Sequence, residues 1–170
     1  MVSIANLSPI ERIMLITDGT LTEILQAHFL EPIELVKLSE QLSRTQVIDL
    51  LDADVGDEIM ERKVLLRGTQ SGRVYVYAES FIVVSRLDTS VSSQMRHDLT
   101  HSDVPLGRLW RQHRMETFKE MVEQVQQTVD DLTEFFDLDP DHPLLSRTYR
   151  VFARKKKIML ITEKFPQYYL

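Results

Sequence analysis

Residues 58–67 and 73–84 are two extended runs rich in Val, Leu, Tyr and Ile, joined by Gly68-Thr69-Gln70-Ser71-Gly72. Apolar and aromatic runs of this length, separated by a short glycine-flanked connection, predict a β-hairpin. In the second run Val74, Val76 and Ala78 share one face and Tyr75, Tyr77 and Glu79 the other, because strand side chains alternate. A second hairpin is predicted near the C-terminus, from Ser146–Ala153 to Lys157–Phe165, turning at Arg154-Lys155-Lys156. A lone hairpin is marginal in water, so two of them point to a shared antiparallel sheet covered by other elements.

The covering elements are read from caps and periodicity. Ser8, with Pro9 after it and Glu11 three residues on, forms a capping box that opens a helix to about Ile16. Thr17-Asp18-Gly19 breaks it. Thr20 and Glu23 repeat the capping-box spacing, and Leu21, Ile24, Leu25 and Phe29 form a helical stripe that ends before Pro32. Residues 33–43 read as a strand, Val47–Leu51 as a short strand or a helical turn, and 52–57 as a loop. Residues 88–113 are irregular with short helical stretches, and Pro105-Leu106-Gly107 is a turn. From Met115 to Phe136 apolar residues recur at helical spacing. The expected architecture is a single α+β domain over residues 1–170, an antiparallel sheet with helices packed on it.

Composition narrows the function classes. The 170 residues fit one domain with a core of its own. No cysteine is present, which excludes disulfides, thiol nucleophiles and thiolate metal sites. A net charge of -6 and a pI near 5.4 argue against nucleic-acid binding, which calls for a basic stripe. The longest apolar runs, such as Phe81–Val84 and Ile158–Ile161, are far shorter than the roughly 20 residues of a membrane helix. No secretory signal pattern is visible at Met1-Val2-Ser3-Ile4, so the expected location is the cytosol.

Common catalytic signatures are absent: no phosphate-binding or dinucleotide glycine loop, no His-Glu-x-x-His and no Gly-x-Ser-x-Gly. His97 and His101, near Asp98 and Asp103, could share a metal on a helix, but no third ligand has suitable spacing, and a solvated polar segment is the better reading. No metal is therefore expected. Arg154-Lys155-Lys156-Lys157 reads as a solvated hairpin tip rather than a phosphate site. The stripe from Met115 to Phe136 reads as core packing rather than a partner-binding helix. Two residues stand apart. Arg62 and Glu163 are ionisable groups set in the apolar strands Ile59–Leu66 and Ile158–Phe165. Alternation alone could place either one in solvent.

Three segments resemble the chorismate pyruvate-lyase family: Arg62-Lys63-Val64-Leu65-Leu66 followed by Ala78-Glu79-Ser80-Phe81-Ile82-Val83, then Pro105-Leu106-Gly107-Arg108, then Leu160-Ile161-Thr162-Glu163-Lys164-Phe165. A weaker match is Asp18-Gly19-Thr20-Leu21-Thr22. Their order and spacing agree over nearly the whole chain. The resemblance implies a sheet of about six antiparallel strands with helices on one side, enclosing a buried ligand. It also implies a cofactor-free lyase that splits chorismate into 4-hydroxybenzoate and pyruvate. Arg62 matches the arginine that holds the aromatic carboxylate. Glu163 matches the acidic residue at the other end of the ligand, near the ring oxygen. Leu106 matches a turn position whose backbone amide bonds the ligand, and Leu21 takes a packing role where the ubiquinone-pathway enzyme has methionine.

Lys63 in place of an acidic residue, and Pro166 directly after Phe165, mark a divergent branch, similar to lyases of plastoquinone or phenolic-lipid synthesis. The resemblance further implies a strand near Phe118–Val122, so the combined expectation is a strand there and a helix from about Gln126 to Phe136. The alternatives are a non-catalytic binder of aromatic carboxylates and a lyase acting on a related enolpyruvyl compound such as isochorismate. The same fold serves as effector-sensing domain in some transcription regulators. Against a regulator, no basic recognition helix precedes the first strand.

The chemistry suits these residue types. An arginine fork meets a carboxylate with two parallel hydrogen bonds. A protonated carboxyl group could donate to the leaving oxygen. Burial of Glu163 would favour that neutral form, and a nearby Arg62 would oppose it.

Overall fold

The computed structural model describes residues 4–45, 47–87, 97–98 and 116–170. After a short 3-10 turn the chain forms α1 (Pro9–Ile16), α2 (Leu21–Phe29), β1 (Ile33–Ser43), β2 (Ile59–Gly68), β3 (Val74–Val83) and the single-turn α3 (Val84–Leu87). The later elements are β4 (Phe118–Thr128), α4 (Thr133–Phe136), β5 (Pro143–Ala153) and β6 (Lys156–Pro166). The six strands make one antiparallel sheet in the order β1-β2-β3-β6-β5-β4. Two three-stranded meanders are thus joined at the centre, where β3 pairs with β6. No helix among the described residues is long and apolar enough to cross a membrane.

Local sequence explains most of these elements. The Ser8 hydroxyl accepts from the Glu11 amide at 3.2 Å, and the Glu11 carboxylate accepts from the Ser8 amide at 2.5 Å, closing the capping box. The repeat of that spacing at Thr20 behaves differently: Thr20 occupies the N-cap, but its side chain makes no capping bond. The C-terminal hairpin turns at Arg154-Lys155, with φ of 48° and 65°, the left-handed pair of a two-residue type I′ connection. Lys156 is already in β6, one residue earlier than expected, and Lys157 is no solvated tip residue, since its amine meets Asp52 at 2.7 Å.

The strand expected near Phe118–Val122 is present, but the segment runs on as strand through residues 126–128, in place of the expected helix. Only 130–136 is helical, as a 3-10 turn followed by α4. A bulge between Met121 and Glu123 adds one residue to β4, so Lys119, Met121 and Gln124 all face the same way. Val47–Leu51 resolves as a bridge residue, Ile48, followed by a 3-10 turn at Asp49–Leu51.

Both faces of the sheet are covered, where the resemblance implied helices on one side. On one face, Leu15 of α1 and Leu25 of α2 pack with Leu66, Val76, Leu145 and Phe165. On the other, Leu132 and Phe136 pack with Leu65, Tyr77 and Leu144. The reason is visible in the central strands, where Leu65 beside Leu66 and Val76 beside Tyr77 put apolar side chains on both faces.

The β2–β3 connection is tied down by Glu31. Its carboxylate accepts from the Tyr75 hydroxyl at 2.6 Å, the Ser71 hydroxyl at 2.8 Å, and the Gln70 and Ser71 amides at 2.9 and 3.0 Å. These donors, Tyr75 first, hold the Glu31 carboxyl down to about 2. A Cβ at Gly68 would lie 2.4 Å from that carboxylate, so glycine is required there for space. Because the folded pKa lies below the ordinary 4.5, this contribution to stability is full above about pH 4.5 and is lost as pH falls towards 2. Glu31→Gln is therefore expected to lower Tm at pH 7, with a smaller deficit against wild type at pH 3. An equal deficit at both values would contradict this account. Gly68→Ala should cost about 1–3 kcal/mol by overpacking.

Candidate functional site

Strand register brings the ionisable residues of the central strands into two adjacent rows. Glu40, Arg62, Ser80, Ile161 and Tyr149 lie opposite one another across β1, β2, β3, β6 and β5. Val64, Ala78, Glu163 and Arg147 form the next row. Residues opposite in register, or two apart along a strand, share a face, so all of these belong to the face covered by α1 and α2. Apolar clusters close the rows at both ends. The α1–α2 cluster lies on one side. Met60, Ile82, Val151 and Met159 with Val84 and Leu87 lie on the other. A polar band crosses the middle of an otherwise apolar face.

Buried charge is costly unless something compensates it, and the band holds two buried arginines. Arg62 is 1% exposed, and its Nε lies 3.7 Å from Glu40 Oε2. Arg147 is equally buried. Its Nε donates to Glu163 Oε2 at 2.7 Å and its Nη1 to the Thr17 carbonyl at 3.0 Å. Among the described residues, Arg147 Nη2 has no hydrogen-bond partner. The Tyr149 hydroxyl donates to Glu163 Oε1 at 3.0 Å, so both oxygens of Glu163 already accept a bond. Burial opposes the charge on Arg147, but Glu163, Tyr149 and Asp18 together outweigh it and push Arg147 above its ordinary value. Burial, and then the Glu163 charge, push the Tyr149 hydroxyl well above its own.

Beside this cluster a cavity of about 280 Å³ opens between the α1–α2 link and β4. Thr17, Asp18, Lys119, Gln124 and Tyr149 line it. Lys119 Nζ lies 3.4 Å from the Gly19 carbonyl and 5.0 Å from the centre of the Tyr149 ring. Burial lowers the Lys119 pKa. Glu163 and Asp18 oppose that shift, and Arg147 adds to it.

Arg62 and Glu163 are thus both on the buried face, not in solvent. They lie two strands and two residues apart, roughly 12 Å between Cα atoms by strand geometry. The cation beside Glu163 is Arg147, however, and not Arg62 as expected. Leu21 is 4% exposed and packs with Leu15, Leu25 and Leu145 in the α1–α2 cluster. Leu106 and the rest of its turn lie outside the described residues, as do His101 and Asp103. His97 is exposed, and its Nδ1 lies 3.8 Å from Asp98. Among the described residues no group of three or more His, Asp or Glu could hold a metal ion.

Sequence reasoning missed Arg147, Tyr149 and Lys119. Arg147 stands inside Leu144–Tyr149 just as Arg62 stands inside its own apolar strand, and the same test would have found it. Lys119 lies in the strand expected near Phe118–Val122, but with Glu120 and Glu123 close by a lysine there does not stand out.

Comparison with known proteins adds a family and a fold. Residues 15–170 match the family described as Chorismate pyruvate-lyase Rv2949c-like. A chorismate pyruvate-lyase of Mycobacterium leprae is 31% identical over 160 residues, 91% of this chain and 72% of that protein. One from Mycobacterium tuberculosis H37Rv is 30% identical over 165 residues, 91% and 78% of the two chains. Among solved structures, the effector domain of PhnF from Mycobacterium smegmatis superposes with a TM-score of 0.68 at 12% identity, covering 89% of this chain and 91% of that one. That likeness concerns the fold alone.

Proposed function

The chain belongs to the Rv2949c-like chorismate pyruvate-lyase family, and from that premise we propose that it converts chorismate to 4-hydroxybenzoate and pyruvate. The observation that carries this reading is the pair of buried arginines on one apolar face, which suits a small ligand bearing carboxylates. Arg62 grips the ring carboxylate. Glu163, held by Arg147 and Tyr149, stands at the opposite end near the ring oxygen. The reading extends to quinone or phenolic-compound biosynthesis in the cytosol.

The reaction needs little covalent help. The ether bond between ring and side chain breaks, and its electron pair leaves with the enolpyruvyl oxygen. The ring loses the hydrogen on its hydroxyl-bearing carbon as a proton and becomes aromatic. A proton arrives on the enol methylene to give pyruvate. The two products account for every atom of the substrate, so no oxidant, reductant or water is consumed. The protein's task is to orient the ring, stabilise developing charge and carry the proton. Glu163 is the group placed for that last step, with two donors fixing its orientation.

Protein dialysed against a chelator is expected to keep its full rate of 4-hydroxybenzoate formation from chorismate, followed by ultraviolet absorbance. Loss of activity, with recovery on adding a divalent metal, would move the chemistry to a metal centre and return attention to His97 and His101.

A further inference from the structure

Chorismate carries two carboxylates, and Arg62 accounts for one. Resting on the reading above, we propose that Arg147 and Lys119 together receive the second, the carboxylate of the enolpyruvyl side chain, and that the cavity between Thr17–Asp18 and β4 is where this side chain sits and pyruvate is released. Two of the three arms of the Arg147 guanidinium are already committed, Nε to Glu163 and Nη1 to the Thr17 carbonyl. The third, Nη2, is buried and has no hydrogen-bond partner among the described residues. A buried charged donor left in that state is costly, and an anion reaching it would relieve the cost.

Lys119 supplies the second positive charge beside the same ring. Its Nζ is 5.0 Å from the centre of Tyr149, and the Arg147 guanidinium carbon is 5.2 Å from it, so both cations lie against one aromatic side chain. Lys119 lines the cavity, and its one polar contact among the described residues is the long one to the Gly19 carbonyl. Burial and Arg147 both disfavour its charged form, a penalty that a bound carboxylate would offset. The opposing charges are Glu163, already engaged, and Asp18 at the exposed rim, where water weakens its repulsion of an incoming anion. The position also suits the chemistry: the ether oxygen joins ring and side chain, so a ring held by Arg62 and a side chain held by Arg147 and Lys119 would place the breaking bond beside Glu163.

The product 4-hydroxybenzoate lacks this second carboxylate, which makes the test selective. Lys119→Gln removes a charge at an edge strand without touching Glu163 and is expected to raise KM for chorismate on the order of tenfold. Competitive inhibition by 4-hydroxybenzoate should stay within about twofold of wild type. Arg147→Lys should raise KM as well, together with a fall in kcat because it also orients Glu163. An unchanged KM in Lys119→Gln, or an equal rise in KM and in the 4-hydroxybenzoate inhibition constant, would overturn the proposal. If wild-type protein fails to turn chorismate over, the lyase reading falls, and calorimetric binding of chorismate and 4-hydroxybenzoate decides the subsite by itself. Selective loss of chorismate affinity in Lys119→Gln would then support it, while equal loss, no loss or no chorismate binding at all would reject it.

Discussion

Arg62→Ala is expected to weaken 4-hydroxybenzoate binding by about 2–5 kcal/mol, equivalent to about 30- to 5,000-fold. The substitution removes a charge-assisted fork and leaves a desolvated carboxylate without its partner. Product affinity must fall along with catalysis, because the ring carboxylate survives the reaction. The fold should tolerate the change, since Glu40, the neighbour of Arg62, keeps a second cation in Lys37 at 3.5 Å. Arg62→Met, which fills the same space without charge, guards against a collapse of the alanine variant. Calorimetric titration with 4-hydroxybenzoate is the check. Wild-type affinity in a folded Arg62→Met protein would mean that the ring carboxylate binds elsewhere.

Glu163→Gln is expected to lower kcat by about 10²–10⁴-fold while 4-hydroxybenzoate affinity stays within about tenfold of wild type. The amide keeps the shape and one acceptor for Arg147 Nε, but it cannot carry a proton. It also takes away the counter-charge of a buried arginine, so a lower Tm should accompany the kinetic loss. Steady-state kinetics and product titration together separate the two roles open to this residue. A Gln variant with most of its activity, beside an inactive Glu163→Ala, would assign Glu163 to positioning alone.

What was legible in the sequence follows from the range of the physical signal. The β2–β3 hairpin announced itself through the glycines at 68 and 72, and Gly68 proved necessary because Glu31 fills the space beside it. The α1 cap was legible because every atom that makes it lies within four residues. The end of β4 was misread as helix because Val125, Val129 and Leu132 recur at helical spacing, although Val125 to Thr128 belong to the strand. Cover on both faces was hidden by the resemblance, although paired buried residues such as Leu65 and Leu66 carried the signal.

The same division applies to the site. Arg62 and Glu163 were noticed because an ionisable group in an apolar strand is conspicuous. The ion pair between Arg147 and Glu163 was not, because it depends on which residues of β5 and β6 lie opposite each other. Register of that kind is set by the turn at Arg154-Lys155 and by core packing, not by local composition.

The most direct measurement mixes purified protein with chorismate, quenches at intervals, and quantifies 4-hydroxybenzoate and pyruvate separately. The account predicts equimolar appearance of the two with the wild-type protein, and a joint fall in both with Arg62→Ala and with Glu163→Gln. Chorismate recovered intact from a wild-type protein that still binds 4-hydroxybenzoate would show a binding module in place of a lyase, and wild-type rates in both variants would show that the reaction takes place somewhere other than this face of the sheet.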